Sequence, residues 1–187
     1  MLLKIQKKRN NYKYMEKTTL NLFVLFLTLT LAQVVVFNNI CLYDIAVPIV
    51  FIYFILRAPI SLNINIFLSI SFILGLTIDI FSNTQGLHSL SCTIIAFIKR
   101  DILRLYVARD EEIANDYVSI KTIGFPSFFK FSLTMILIYC LIVFCVESFT
   151  FFNFIKLITK IAASAIFSLV IILGIDRIAY KRREKRL

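Results

Sequence analysis

Long apolar runs, separated by polar breaks that alternate between basic and free of Lys and Arg, leave this chain few ways to fold. Hydrophobic residues make up 59% of its 187 positions and charged residues only 17%. A soluble domain of that length keeps too much of its chain at the surface to hide so much apolar area. The runs have helix length, so the expected fold is an all-α membrane protein, a bundle of six transmembrane helices in the lipid bilayer. The net charge of +10 would suggest nucleic acid in a soluble protein. Here the basic residues cluster between and outside the apolar runs, where they meet anionic lipid, so nucleic acid is not an expected partner.

The expected spans are 20–37, 45–56, 62–81, 87–98, 128–149 and 154–179, within a membrane domain covering 18–179. A basic tail, 1–17, precedes them, with Met15 offering a second start, and a basic tail, 180–187, follows. The first run has the basic flank of a signal peptide but no small-residue cleavage site after it, so it reads as a retained helix. The second and fourth runs fall short of the roughly 20 residues of a full helical crossing. They therefore borrow neighbours, tilt or re-enter. Gln33 is expected in a helix–helix hydrogen bond, and Ala162, Ala163, Ser164 and Ala165 as a face on which another helix packs closely.

Orientation follows from Lys and Arg. Six lie in the N-terminal tail, one at Arg57, five in 99–124 and six from Arg177 onward, whereas 38–44, 82–86 and 148–153 have none. Both termini and the 99–127 loop are therefore expected in the cytoplasm. The start of that loop, from Lys99 to Arg109, is expected as an amphipathic continuation on the membrane surface.

Chemistry concentrates at one place. Asp79 closes the third run, Ser82 to Gly86 form a turn, and His88, the single histidine, opens the fourth. Ionisable groups in lipid pair up or mark a functional interior. Asp79 and His88 therefore read as a hairpin clamp, as a partner contact or as a proton or ion site, with Asn83 and Gly86 supplying the turn. Glu147 ends the fifth span, where a negative charge opposes the helix dipole, so Lys156, Lys160 or a partner is expected beside it. Asp176 and Arg177 read as an interfacial charge pair. The four cysteines lack CxxC spacing and read as packing residues. No second histidine is present to build a triad, and no phosphate loop or paired-carboxylate site occurs, so an enzyme is not expected.

The stretch from Gly75 to His88, GLTIDIFSNTQGLH, resembles the signature of the MreD rod shape-determining family, a G-L-x-x-D-x-[FL]-S-x-x-x-G-x-H pattern across a helical hairpin. The similarity extends over about 18–179. The Gln33 helix with Asn38-Asn39, and Val146 to Phe154, resemble Bacteroidota-type members in particular. The resemblance implies a six-helix fold similar to the substrate-binding subunits of energy-coupling-factor vitamin transporters. It implies a non-catalytic scaffold of the cell-elongation complex in the bacterial inner membrane. That scaffold would bind MreC and, through it, MreB, RodA and the penicillin-binding transpeptidase that build peptidoglycan. No cofactor and no metal are implied. Gly75, Asp79, Asn83, Gly86, His88 and Glu147 become hairpin or partner-interface candidates. The alternative is the substrate-binding subunit of a small-solute or vitamin transporter, for which Gln33, Asn63 and Asn65 are candidate polar contacts.

Overall fold

A computed structural model describes residues 22–36, 47–107, 118–147 and 154–184. Its regular structure is helical, with no strand among the described residues. The helices are α1 (Leu22–Val35), α2 (Ile52–Arg57), α3 (Ile64–Ser82), α4 (Leu87–Tyr106), α5 (Ile120–Ile123), α6 (Phe125–Glu147) and α7 (Phe154–Glu184). Three stretches, Ile64–Ser82, Phe125–Glu147 and Leu157–Ile178, are long and apolar enough to cross a membrane, which marks the chain as a membrane protein. Helix α3 lies on α4, α4 on α6, and α6 on α7. Pro126 falls in the first turn of α6, where a missing N–H leaves no bond unmade.

Boundaries differ most where sequence hydropathy is least informative. The expected fourth span, 87–98, is a helix of 20 residues that continues through Lys99 to Tyr106. The expected loop at 99–127 therefore gives up its first eight positions to α4, and α6 begins at Phe125. Lys99 is buried in the protein: it is 2% exposed, and its side-chain nitrogen donates to the Ala58 carbonyl at 2.5 Å. The last helix runs past the expected end at 179 to Glu184. The N-terminal tail 1–17, the break 38–44 and Cys41 lie outside the described residues.

The second segment departs furthest from a spanning helix. Residues 47–50 form no helix, and α2 itself has only six residues. So short a helix is not stable alone; burial holds it. Ile52 to Leu56 are all at most 3% exposed, enclosed by α4 and α6, with Phe26 of α1 edge-on to Phe54 at 5.7 Å.

A non-helical backbone inside an apolar core must find partners for its N–H groups. Val47 donates to Ser164 Oγ at 3.1 Å, Ile49 to Ser168 Oγ at 2.8 Å, and Val50 to Gln33 Oε1 at 2.9 Å. Pro48 has no N–H, and its carbonyl accepts from Gln33 Nε2 at 3.0 Å. All backbone donors of 47–50 are thereby satisfied, and every acceptor is a side chain.

Gln33 bridges to the 48–50 backbone, and the expected small-residue face is corrected. On α7, four consecutive residues cannot share one face, because successive side chains turn by about 100°. Ala162 is exposed and Ala163 half-buried; the packed face is Ile161, Ser164, Ala165, Ser168, Leu169 and Ile172. Its two serines meet the non-helical segment 47–49, not a helix.

Further along, Arg57 reaches Asp176 of α7. Residues 47–57 thus descend beside α7 from Ser164 to Asp176, about 18 Å at the helical rise of 1.5 Å per residue.

Gln33→Leu should orphan the Val50 N–H and the Pro48 carbonyl, and Ser168→Ala the Ile49 N–H. Each orphaned group should cost about 1–3 kcal/mol, read as a lower unfolding temperature in detergent, with Gln33→Leu the larger loss.

Candidate functional site

The hairpin between α3 and α4 is built from the residues of the Gly75–His88 stretch. Asn83 closes α3 in the left-handed conformation (φ 54°, ψ 39°), and Gly86 opens α4 at φ 78°. Asparagine tolerates that region and glycine adopts it freely. The Thr84 N–H returns to the Asp79 carbonyl at 3.0 Å.

Between these turns the Asp79 carboxylate, 3% exposed, works across the hairpin. Its Oδ1 accepts from the His88 N–H at 2.9 Å and from the Thr84 hydroxyl at 2.6 Å. Its Oδ2 accepts from the Ser89 N–H at 2.8 Å. The first N–H groups of a helix have no intrahelical partner and carry partial positive charge, so a carboxylate from the preceding helix is a strong cap. Gly75 lies one turn earlier on α3. A Cβ there would stand 2.5 Å from the His88 carbonyl oxygen and closer still to Ser89 Cα, so only glycine allows this approach.

The Asp79–His88 relation is therefore carboxylate to backbone, not carboxylate to imidazole. The His88 ring turns instead toward α6. Its Nδ1 contacts the Tyr139 hydroxyl, the two rings lie parallel (7°) with centroids 6.2 Å apart, and Phe51 presents its edge to both. Tyr139 is fully buried. A tyrosine inside an apolar helix needs a partner for its hydroxyl, and this is the one signal in the sequence that points to it. The 51-residue separation hides which partner it takes. Asp79, Asn83, Gly86, Gly75 and His88 all meet at the hairpin.

Glu147 stands apart, at the surface, paired with Lys160 at 3.5 Å; the same ammonium lies 4.9 Å from the Phe144 ring. An exposed pair of this kind contributes little.

A second polar junction lies toward the far end of α7. Asp176, 2% exposed, accepts from the Tyr53 hydroxyl at 2.8 Å and from Arg57 at 3.2 Å through Oδ1, and from the Ile120 N–H at 3.0 Å through Oδ2. Asp176 thus pairs with Arg57, not with the neighbouring Arg177, whose guanidinium lies over the Phe125 ring at 5.8 Å. Beside it, Arg100 donates to the carbonyls of Ile60 and Leu62, so the α2–α3 turn is gripped by Lys99 and Arg100 together.

Cys92 and Cys140 are buried free thiols, and Cys145 is exposed and free. Among the described residues no three His, Cys, Asp or Glu side chains gather as metal ligands would. The arrangement ties the fold together at three places: a capped hairpin, a stacked His–Tyr contact and a buried carboxylate joining three elements.

Gly75→Ala should force α3 and α4 apart and cost about 1–3 kcal/mol, an overpacking effect read as a lower unfolding temperature in detergent. Asp79→Ala should raise hydrogen exchange at the His88 and Ser89 amides, while Tyr139→Phe should leave those amides protected. The contrast separates the backbone cap from the ring contact.

Comparison with known proteins finds no matching family model, no similar curated protein and no similar solved structure.

Proposed function

We propose that this chain is a non-catalytic membrane scaffold of the MreD type. In this reading it is a six-span inner-membrane protein with both termini in the cytoplasm. It holds MreC, and through it MreB, RodA and the penicillin-binding transpeptidase, at sites of peptidoglycan synthesis during rod-shaped growth. The observation that carries the reading is the hairpin. The residues of the resembled pattern spend their chemistry on its shape: Gly75 on close approach, Asp79 on capping α4, and Asn83 and Gly86 on the turn. A pattern devoted to one rigid turn suits a surface presented to a partner better than a turnover site.

The six-span count is compatible with the short second segment, because 47–50 and α2 together run beside α7 from Ser164 to Asp176. In this topology the hairpin and the Glu147–Lys160 pair face outward, and the Arg57–Asp176 junction with Lys99 and Arg100 faces the cytoplasm, in keeping with the excess of positive charge there.

A second reading, a solute- or vitamin-binding transporter subunit, draws on the Phe51–His88–Tyr139 cluster, since such a subunit needs aromatic and polar groups near the outer end of its bundle. A mild-detergent pull-down of the tagged protein from its native membrane, read by mass spectrometry, separates the two. Recovery of MreC with RodA and the transpeptidase is the expected result. Recovery of ATPase subunits instead would replace the scaffold by the transporter.

A further inference from the structure

One end of the α3–α4 pair carries a positive charge that no described carboxylate meets. Arg57 is balanced there by Asp176 at 3.2 Å. Arg100, part-buried on α4, has no such partner among the described residues. Asp101 beside it is 74% exposed and pairs with Arg104 at 3.7 Å. Asp79 and Glu147 stand near the far ends of α3 and α6. A guanidinium keeps its charge at every physiological pH. Taken partly out of water beside a membrane, such a charge is costly unless an anion accompanies it.

The Arg100 donors are only partly spent. Nη2 donates to the carbonyls of Ile60 and Leu62, which leaves the N–H groups on Nη1 and Nε for another acceptor. Ser61 and Asn63, on either side of Leu62, are exposed, and the Asn63 side chain makes no capping bond to α3. The depth fits a membrane boundary, because the apolar span of α3 begins at Ile64. Within one turn on the span side, Ile66 of α3 and Phe97 of α4 are exposed, and Ile73, Leu90 and Ile94 continue that apolar face. A cationic, polar end continuous with an exposed apolar face has the profile of a phospholipid rather than of a free anion.

We propose that Arg100, with Ser61 and Asn63, binds the phosphate of an anionic phospholipid whose acyl chains run along the α3–α4 face beside Ile66 and Phe97. The planar fork of a guanidinium matches phosphate oxygens, and basic sites between membrane helices near the cytoplasmic surface suit such headgroups. Bound lipid supplies the missing negative charge and fastens the α2–α3 turn to the membrane boundary. The site does not rest on the scaffold reading and stands or falls separately from it.

The test is lipid retention by the full chain in mild detergent, read by native mass spectrometry with phosphatidylglycerol against zwitterionic phosphatidylcholine. The wild-type chain should retain phosphatidylglycerol about ten-fold better, the size expected for a charge-assisted hydrogen bond. Arg100→Gln should lose that preference. Arg104→Gln removes an equal charge from the same helix at a residue 80% exposed, and should keep it. Inorganic phosphate should not displace the lipid, because the acyl chains hold it as well. No preference in the wild-type chain would overturn the site. So would an equal loss in Arg104→Gln, which signals general surface charge, and displacement by inorganic phosphate, which signals a free-anion site. An unchanged preference in Arg100→Gln would overturn it too, by leaving the charge to another acceptor. If Arg100→Gln does not accumulate, Arg100→Lys keeps a cation for the turn without the spare fork. A several-fold fall in preference is then the expected result, and an unchanged preference overturns the site.

Discussion

The rest of this structure depends on one requirement: backbone N–H groups that leave helical geometry inside an apolar bundle must be given partners. Residues 47–50 do leave it, and Ser164, Ser168 and Gln33 supply the acceptors. The identity of α7 as a packing helix follows from this. Its two serines, one helical turn apart, receive the N–H groups of residues 47 and 49, so that a helix and a non-helical segment run side by side without a sheet.

Once the segment is held, charge can be placed at its ends. Buried carboxylates are costly unless saturated with donors. Asp79 meets this with two backbone N–H groups and a hydroxyl, and Asp176 with a tyrosine, an arginine and a backbone N–H. Both draw donors from beyond their own helix, so each charge doubles as a tie. The hairpin tie is local in sequence, 9 or 10 residues across. The Asp176 tie spans 56 to 123 residues and joins the last helix to the second and the fifth. The Lys99 and Arg100 contacts complete this second tie by gripping carbonyls of the α2–α3 turn.

The legibility of the chain follows the range of these ties. The hairpin is readable because its parts are adjacent: an acid one turn before a helix end, a glycine in the turn and a polar residue opening the next helix. A clamp role for Asp79 follows from that arrangement, but its partner on His88 is the backbone amide and not the imidazole. The helices α3, α6 and α7 are readable because long uninterrupted hydropathy needs no tertiary information. The expected small-residue face fails by one geometric step, since residues adjacent in sequence diverge around a helix.

By itself the sequence determined an all-helical membrane class, the three long apolar helices and the α3–α4 turn, all set by local hydropathy and backbone preference. Only the tertiary structure decided that 47–57 is part non-helical and part helical, that Gln33 and two serines hold it, that Lys99 is buried, and that His88 meets Tyr139 while Asp176 meets Arg57. The reason is physical. A run of apolar residues states that it will be buried but not in what backbone form, because extended and helical chains are equally acceptable to the core once their hydrogen bonds are met. Two of those bonds come here from side chains more than a hundred residues away, whose distance along the chain carries no trace of their proximity in space.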